Sequence, residues 1–285
     1  MSEPAAPLTD ALNTDALKSL RVELSDDGQI AEVVLIGPGK GNAMGPDFWR
    51  EMPEVFMALD ADPTVRVILV RGEGSSFSYG LDLVGMGGAM GSAAGGAVDR
   101  TRFLETITRM QGAIDVVDET RKPVIAAVHG WCIGGGVDLI AACDIRLASA
   151  EAKISVREVK VAIVADMGSL QRLPAIIGDA ATRRLALTGE DIDAHRAREL
   201  GLVSDVYADP DELLAQARGL ARTVADNPPL VVQGVKRVMN ATRDLSRKDG
   251  LAHVALWNAA FIATEDLGEA IAAFAQKRPP HFTGR

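Results

Sequence analysis

The sequence predicts an α/β fold that gives way to an all-helical C-terminal region. Three observations carry that reading. Short apolar runs alternate with stripes at helical spacing as far as about Asp209. Two of those runs, Val65–Val70 (VRVILV) and Val124–Val128 (VIAAV), lack the polar alternation of a half-exposed strand, as expected of strands buried on both faces. Beyond Asp209 only helical stripes occur. The chain accordingly divides into a flexible tail at 1–19, a core at 20–208 and a helical region at 209–285. With 285 residues, 47% hydrophobic and 24% charged, it is long enough to bury a large core.

In order, Ile30–Ile36 (IAEVVLI) predicts a strand, followed by the turn-rich Gly37-Pro38-Gly39-Lys40-Gly41-Asn42. Phe48, Trp49, Met52, Val55, Phe56 and Leu59 form a helical stripe. Pro53 lies inside it and should bend the helix or mark its start. After the strand at Val65–Val70 comes a loop, Ser75–Leu83. The Gly/Ala/Met-rich stretch Gly85–Ala97 then predicts a mobile loop. Phe103, Ile107, Met110, Ile114 and Val117 recur at helical spacing before the strand at Val124–Val128. A helix opens at Gly134-Gly135-Gly136, and Asp144–Ala148 is a further strand. In the C-terminal region, Leu213–Val224 is one helix, Asn227-Pro228-Pro229 a stop and restart, and Val231–Val238 and Leu251–Phe261 two more. A last helix ends before Lys277-Arg278-Pro279-Pro280. No repeat of fixed period is visible.

Composition narrows the function classes. A net charge of -9 argues against a general nucleic-acid binder and against docking on anionic lipid. The 2 cysteines, Cys132 and Cys143, make neither a disulfide framework nor a zinc pattern, and read as buried structural thiols. The 4 histidines lack metal-ligand spacing, so no metal is expected. No apolar run reaches the roughly 20 residues that span a bilayer. The N-terminal stretch lacks a signal-peptide pattern and the last three residues are not a peroxisomal signal, so a cytoplasmic protein is expected.

Three features carry chemistry. Phe77-Ser78-Tyr79-Gly80-Leu81-Asp82-Leu83 follows one buried strand, the triple glycine follows another, and acids lie downstream. A glycine run at a helix start bares backbone N–H groups to a phosphate, carboxylate or enolate oxygen. A close helix–strand contact would also call for glycine. The P-loop spacing fails at Gly39-Lys40-Gly41-Asn42, the triple glycine is too late and wrongly spaced for a dinucleotide site, and no nucleophile elbow is present. Asp138 lies one turn after Gly135, with its carboxylate directed back toward the bare N–H groups; a simple interaction with the helix dipole reads the same. Glu158 could be a strand-end acid paired with Arg157. Asp166 alone reads best as an N-cap.

At FSYGLDL, PVIAAVHGWCIGGGVDLIAACDIRLAS and ISVREVKVAIVADMGSLQRLPAIIG the chain resembles the crotonase (enoyl-CoA hydratase/isomerase) superfamily, and the similarity runs from about Leu20 to KRPPHF. The resemblance implies a crotonase-like spiral of ββα repeats, with a helical C-terminal region that builds a homotrimer or homohexamer. It implies an acyl-CoA substrate and no separate cofactor, and the acidic composition leads to the expectation of no nucleic-acid or membrane partner. It places an oxyanion hole at the backbone N–H groups of Leu81 and Gly135, and substrate contacts at Tyr79, Gly80, Leu81, Asp82, Leu83 and Gly135. Lys40 and Lys277 become candidate partners for the coenzyme A phosphates, although either reads equally as a solvated lysine. Tyr79 and Trp131 are bulkier than the family's usual residues and imply a reshaped acyl pocket.

The set Asp138, Glu158 and Asp166 resembles the Δ3,5-Δ2,4-dienoyl-CoA isomerase branch, which acts in fatty acid β-oxidation; hydratases carry Glu at the position of Asp138. The implied chemistry removes a proton from C2 and returns one at C6, with Glu158 and Asp166 at the two ends and Asp138 orienting or tuning them. Glu158 is favoured for C2 because its family position acts there in hydratases, but the other order stays open. The competing readings are an enoyl-CoA hydratase and, in another class, a non-catalytic binding module of the same fold.

Overall fold

Strand β1 (Leu20–Leu24) pairs antiparallel with β2 (Ile30–Leu35), and β2 then runs parallel to β3 (Val67–Gly72). The computed structural model describes residues 14–38, 41–91 and 94–285. Strands β4 (Val124–Val128), β6 (Ile145–Ser149) and β9 (Asp205–Tyr207) continue the parallel pairing, giving a six-stranded sheet of order β1-β2-β3-β4-β6-β9. Between these strands lie short ones, β5 (Trp131–Ile133), β7 (Lys153–Ser155) and β8 (Ile192–Asp193), in a second sheet of order β5-β7-β8. Two single-residue bridges, Met44 with Leu81 and Ser78 with Cys132, extend that second layer toward the N-terminal half.

The helices complete the repeat. After β2 and Met44 comes α1 (Pro46–Ala61). After β3 and the bridges at Ser78 and Leu81 come α2 (Gly87–Gly91) and α3 (Ala97–Glu119). After β4 and β5 comes α4 (Gly135–Ala142), and after β6 and β7 come α5 (Ser169–Ile177) and α6 (Asp179–Thr188). Each turn is a strand of the large sheet, a short strand or bridge of the second layer, and a helix, which is the expected ββα spiral. Helix α7 (Ala194–Glu199) leads into β9, and α8 (Pro210–Ala225), α9 (Pro229–Thr242), α10 (Arg247–Phe261) and α11 (Glu265–Gln276) follow.

Period-2 alternation places two cores on the two faces of the large sheet. Ile68, Val70, Val124, Ala126 and Val128 join Phe48, Met52, Phe56, Ile114 and Leu139 on one face. Val67, Leu69, Ile125, Ala127 and Leu147 meet Leu213, Ala217, Ala221 and Ala225 of α8 on the other. The continuous apolar runs of β3 and β4 are thus accounted for by burial on both sides. Helix α9 is held by Lys236, whose Nζ donates to the carbonyls of Val117 and Lys122 and to Asp144 Oδ2 at 2.8 Å. Helix α10 buries no residue, and Leu251, Leu256, Phe261 and Phe274 stand exposed along α10 and α11. Among the described residues, no helix is long and apolar enough to cross a membrane.

Three expectations need correcting. Helix α1 starts at Pro46, so Pro53 sits in its interior and merely withholds one ladder hydrogen bond. The stretch 85–97 is not all loop, since Gly87–Gly91 is helical. The tail expected at 1–19 is tied down at its end, just before strand β1, which opens the core and has no counterpart among the expected strands. The N–H groups of Lys18, Ser19 and Leu20 all donate to the buried carboxylate of Glu51, at 2.9, 2.9 and 3.2 Å.

Candidate active site

The loop that carries Leu81 is held from both sides by backbone pairing. Ser78 N–H donates to Trp131 O at 3.0 Å and Ile133 N–H to Ser78 O at 2.9 Å, while Tyr79 N–H donates to Gly41 O and Met44 N–H to Gly80 O. Two polar side chains lock it further. Asn42 Nδ2 donates to the carbonyls of Glu73, Ser76 and Phe77, and Ser78 Oγ donates to Asn42 O while accepting Gly80 N–H at 3.0 Å. Sequence reading missed both. The Gly41-Asn42 pair was the available signal, since Asn tolerates the left-handed conformation it adopts here, φ 50.

This pairing leaves one N–H over. Tyr79, Gly80 and Asp82 all donate, but among the described residues Leu81 N–H has no acceptor. Gly135 is the first residue of α4, so its N–H has no acceptor within the helix. The two groups lie close together. A Cβ built on Gly80 would sit 2.9 Å from Gly135 N, and one built on Gly135 would sit 3.7 Å from Leu81 N. Gly80 has φ +74, and its missing side chain leaves the space open. Gly134, at φ 53 and ψ -118, turns the chain from β5 into the helix. Two N–H donors therefore converge at a helix N-terminus, where the dipole adds positive potential.

The acids gather at the same place. Leu81, Gly134, Gly135, Asp138, Glu158 and Asp166 all line one cavity of about 390 Å³, whose other walls, Arg157 apart, are largely apolar and include Trp49, Tyr79 and Trp131. Asp138 is 1% exposed on α4. Burial pushes its carboxyl up to about 6, against the Ser169 N–H that favours the ionised form, with the negative charge of Asp166 adding to the rise. Glu158 belongs to a one-turn 3-10 helix, Glu158–Val161, that follows β7. Burial, then the charge of Asp138, raise its carboxyl to about 7. Its Oε2 is buried without a hydrogen-bond partner. Burial also raises Asp166, which sits in the loop before α5. Three clustered acids cannot all ionise freely, so the site holds a proton near neutral pH.

The simpler readings of Glu158 and Asp166 fail on particulars, while Asp138 does stand in the first turn of its helix. Arg157 pairs with Asp191 rather than Glu158, and its guanidinium stacks 5.1 Å from the Trp131 ring. The residue before α5 is Gly168, and Asp166 caps nothing there. Of the other expected contacts, Tyr79 and Leu83 line the cavity, whereas the carboxylate of Asp82 turns away to accept the N–H groups of Val84 and Gly85. Lys277 ends α11 in the left-handed conformation and is not among the lining residues. Lys40 lies outside the described residues. Arg157 and Met110 line the cavity without having been singled out. Cys132 and Cys143 are both buried free thiols.

The sequence profile described as enoyl-CoA hydratase/isomerase matches residues 25–285. The chain is 42% identical over 280 residues to a mitochondrial Delta(3,5)-Delta(2,4)-dienoyl-CoA isomerase of Dictyostelium discoideum, covering 98% of this chain and 96% of that one. It is 41% identical over 276 residues to a peroxisomal protein of the same name from Arabidopsis thaliana, covering 95% and 99%. Among solved structures, an enoyl-CoA hydratase from Bacillus anthracis superposes with a TM-score of 0.85 at 26% identity, covering 94% of this chain and 100% of that one.

Proposed function

The chain belongs to the enoyl-CoA hydratase/isomerase family, and we propose that it isomerises 3,5-dienoyl-CoA to 2,4-dienoyl-CoA by moving a proton from C2 to C6. One observation carries this reading: two unpaired backbone N–H groups and three carboxyls share one largely apolar cavity. The thioester oxygen binds at the N–H groups of Leu81 and Gly135. Removing the C2 proton spreads negative charge onto that oxygen and along alternate carbons to C6. The two donors stabilise the oxygen end, each worth about 10²–10³ in rate.

In this reading Glu158 serves C2, which is supported by its Oε1 lying 3.3 Å from where a Cβ on Gly134 would be, beside the proposed oxyanion donors. Asp166 then returns a proton at C6. The pair works with one proton between them, and the raised Glu158 makes it a base strong enough for a carbon acid. Asp138 holds the second acid's loop and keeps the shared proton in place. Coenzyme A enters as part of the substrate, and no resident cofactor is required. Similarity to dienoyl-CoA isomerases favours a role in fatty acid β-oxidation. We further propose that the exposed apolar residues of α10 and α11 pack against other copies in a trimer or hexamer, which sedimentation would test.

The deciding assay offers a 3,5-dienoyl-CoA and follows the ultraviolet band of the conjugated 2,4-diene. The band should grow with the wild type and fall by about 10²–10⁴ in rate with Glu158→Gln or Asp166→Asn, both folded by circular dichroism. Loss of absorbance from a 2-enoyl-CoA, with no diene band, would make the protein a hydratase instead. Inertness toward both would leave a binding module.

A further inference from the structure

We propose that a second cavity, behind Glu158, is the subsite for the distal part of the substrate's carbon chain. The inference rests on the acyl-CoA reading above but adds a binding site to it. This cavity, of about 360 Å³, lies between the segment 156–165 and helices α5 and α6. It shares Glu158 and Ile163 with the first cavity. The shared residues belong to a single turn of 3-10 helix and its end, closed by Ala162 at φ 60 and by Ile163 N–H donating to Glu158 O.

The placement follows the chemistry. A substrate held with C2 at Glu158 and C6 at Asp166 has the rest of its chain leaving past those two acids. Glu158 itself lines the second cavity, and so do Val164 and Ala165, the two residues before Asp166. The second cavity therefore begins where the reacting carbons end. Trp49, Tyr79 and Trp131 take up wall of the first cavity, and the second offers the chain a further apolar space.

The lining suits an alkyl chain. Val156, Leu170, Pro174 and Ala186 supply apolar surface, and apart from Glu158 at the shared boundary the ionisable lining residues are Asp179 and Arg183, which pair with each other at 2.7 Å. Val159, Val164 and Leu187 line it while being 45%, 75% and 73% exposed. An alkyl chain laid across them removes that surface from water, and each methylene drawn in should tighten binding by up to about fourfold.

The test titrates saturated acyl-CoA thioesters of six to twelve carbons into the full chain by calorimetry, which needs no turnover. Affinity should climb with length in the wild type. Ala186→Phe fills the cavity and Leu187→Glu places a charge on its open wall at a site exposed enough to keep the fold. Each should flatten the climb, lowering the ratio of twelve- to six-carbon affinity by about tenfold or more. An unchanged ratio in both variants overturns the proposal. So does a changed sedimentation coefficient for Leu187→Glu with the ratio intact, which would mean that a second copy covers the cavity. Failure of the diene assay together with an intact length ladder would remove the isomerase reading and leave the subsite standing.

Discussion

Asp138 Oδ1 accepts the backbone N–H of Ser169 at 2.6 Å. An acid on the helix that opens at the oxyanion donors thus caps the helix that follows Asp166, and ties the two halves of the site to each other. In the proposed mechanism Asp138 then acts on Asp166 by position, through the loop that Ser169 ends. Asp138→Ala, which removes the acceptor, should lower kcat by about 10–100-fold through misplacement of the loop. Asp138→Asn keeps an acceptor oxygen and should recover much of that loss. Equal losses in the two variants, measured by steady-state kinetics, would deny the capping role.

Rate should fall on the alkaline side. The Glu158–Asp166 pair needs one shared proton, and that proton leaves as pH rises through about 7, where Glu158 titrates. The log of kcat/KM should therefore decline above about 7. Asp138 raises Glu158, so removing its charge in Asp138→Asn should move the limb to lower pH. A limb that stays put or moves upward in that variant contradicts the coupling.

Stability should follow the same carboxyl in the opposite sense from an ordinary salt-bridged acid. The folded value of Glu158, about 7, lies above the 4.5 of an ordinary glutamate. Between those values the folded chain holds a proton that the unfolded chain has released, so stability is highest at low pH and declines as pH rises toward 7. Glu158→Gln removes that loss. Its advantage in unfolding free energy at pH 8 should be about 1–3 kcal/mol, disappearing below pH 4.5. Chemical denaturation at the two pH values checks it, and an advantage that persists at low pH would point to packing instead.

Gly80→Ala should disable the oxyanion site. The new Cβ would lie 2.5 Å from Ile133 O and 2.9 Å from Gly135 N, at a φ of +74 that disfavours any side chain. A displaced donor predicts a drop of about 10²–10³ in kcat, and the strained backbone about 1 kcal/mol or more in stability. Full activity in a folded variant would show that Gly135 N–H does not hold the thioester oxygen.

The large sheet was legible because β3 and β4 are buried on both faces, and their unbroken apolar runs announce it. The ββα repeat was not. Its second layer consists of strands of two or three residues and the bridges at Met44–Leu81 and Ser78–Cys132, too short for any periodicity to register. The donor at Gly135 could be read from glycine at a helix start. The donor at Leu81 came from resemblance, because it is defined by what its neighbours bond to. The acids divide similarly: nothing local marks Asp166, whose partners are made by α4 and by Gln111 of α3, which donates to its carbonyl at 2.8 Å.

The two groups proposed to bind the thioester oxygen belong to the peptide backbone, and this sets how the activity can be lost by mutation. Every codon change at Leu81 except one to proline preserves the N–H, so the donor itself is a small genetic target. The exposure passes to residues that donate nothing to the thioester oxygen: Gly80, whose empty side keeps the space clear, and Asn42, whose amide holds three carbonyls of the supporting loop. Inactivating changes in this chain should therefore collect in the scaffold of the hole, away from the atoms that do the binding.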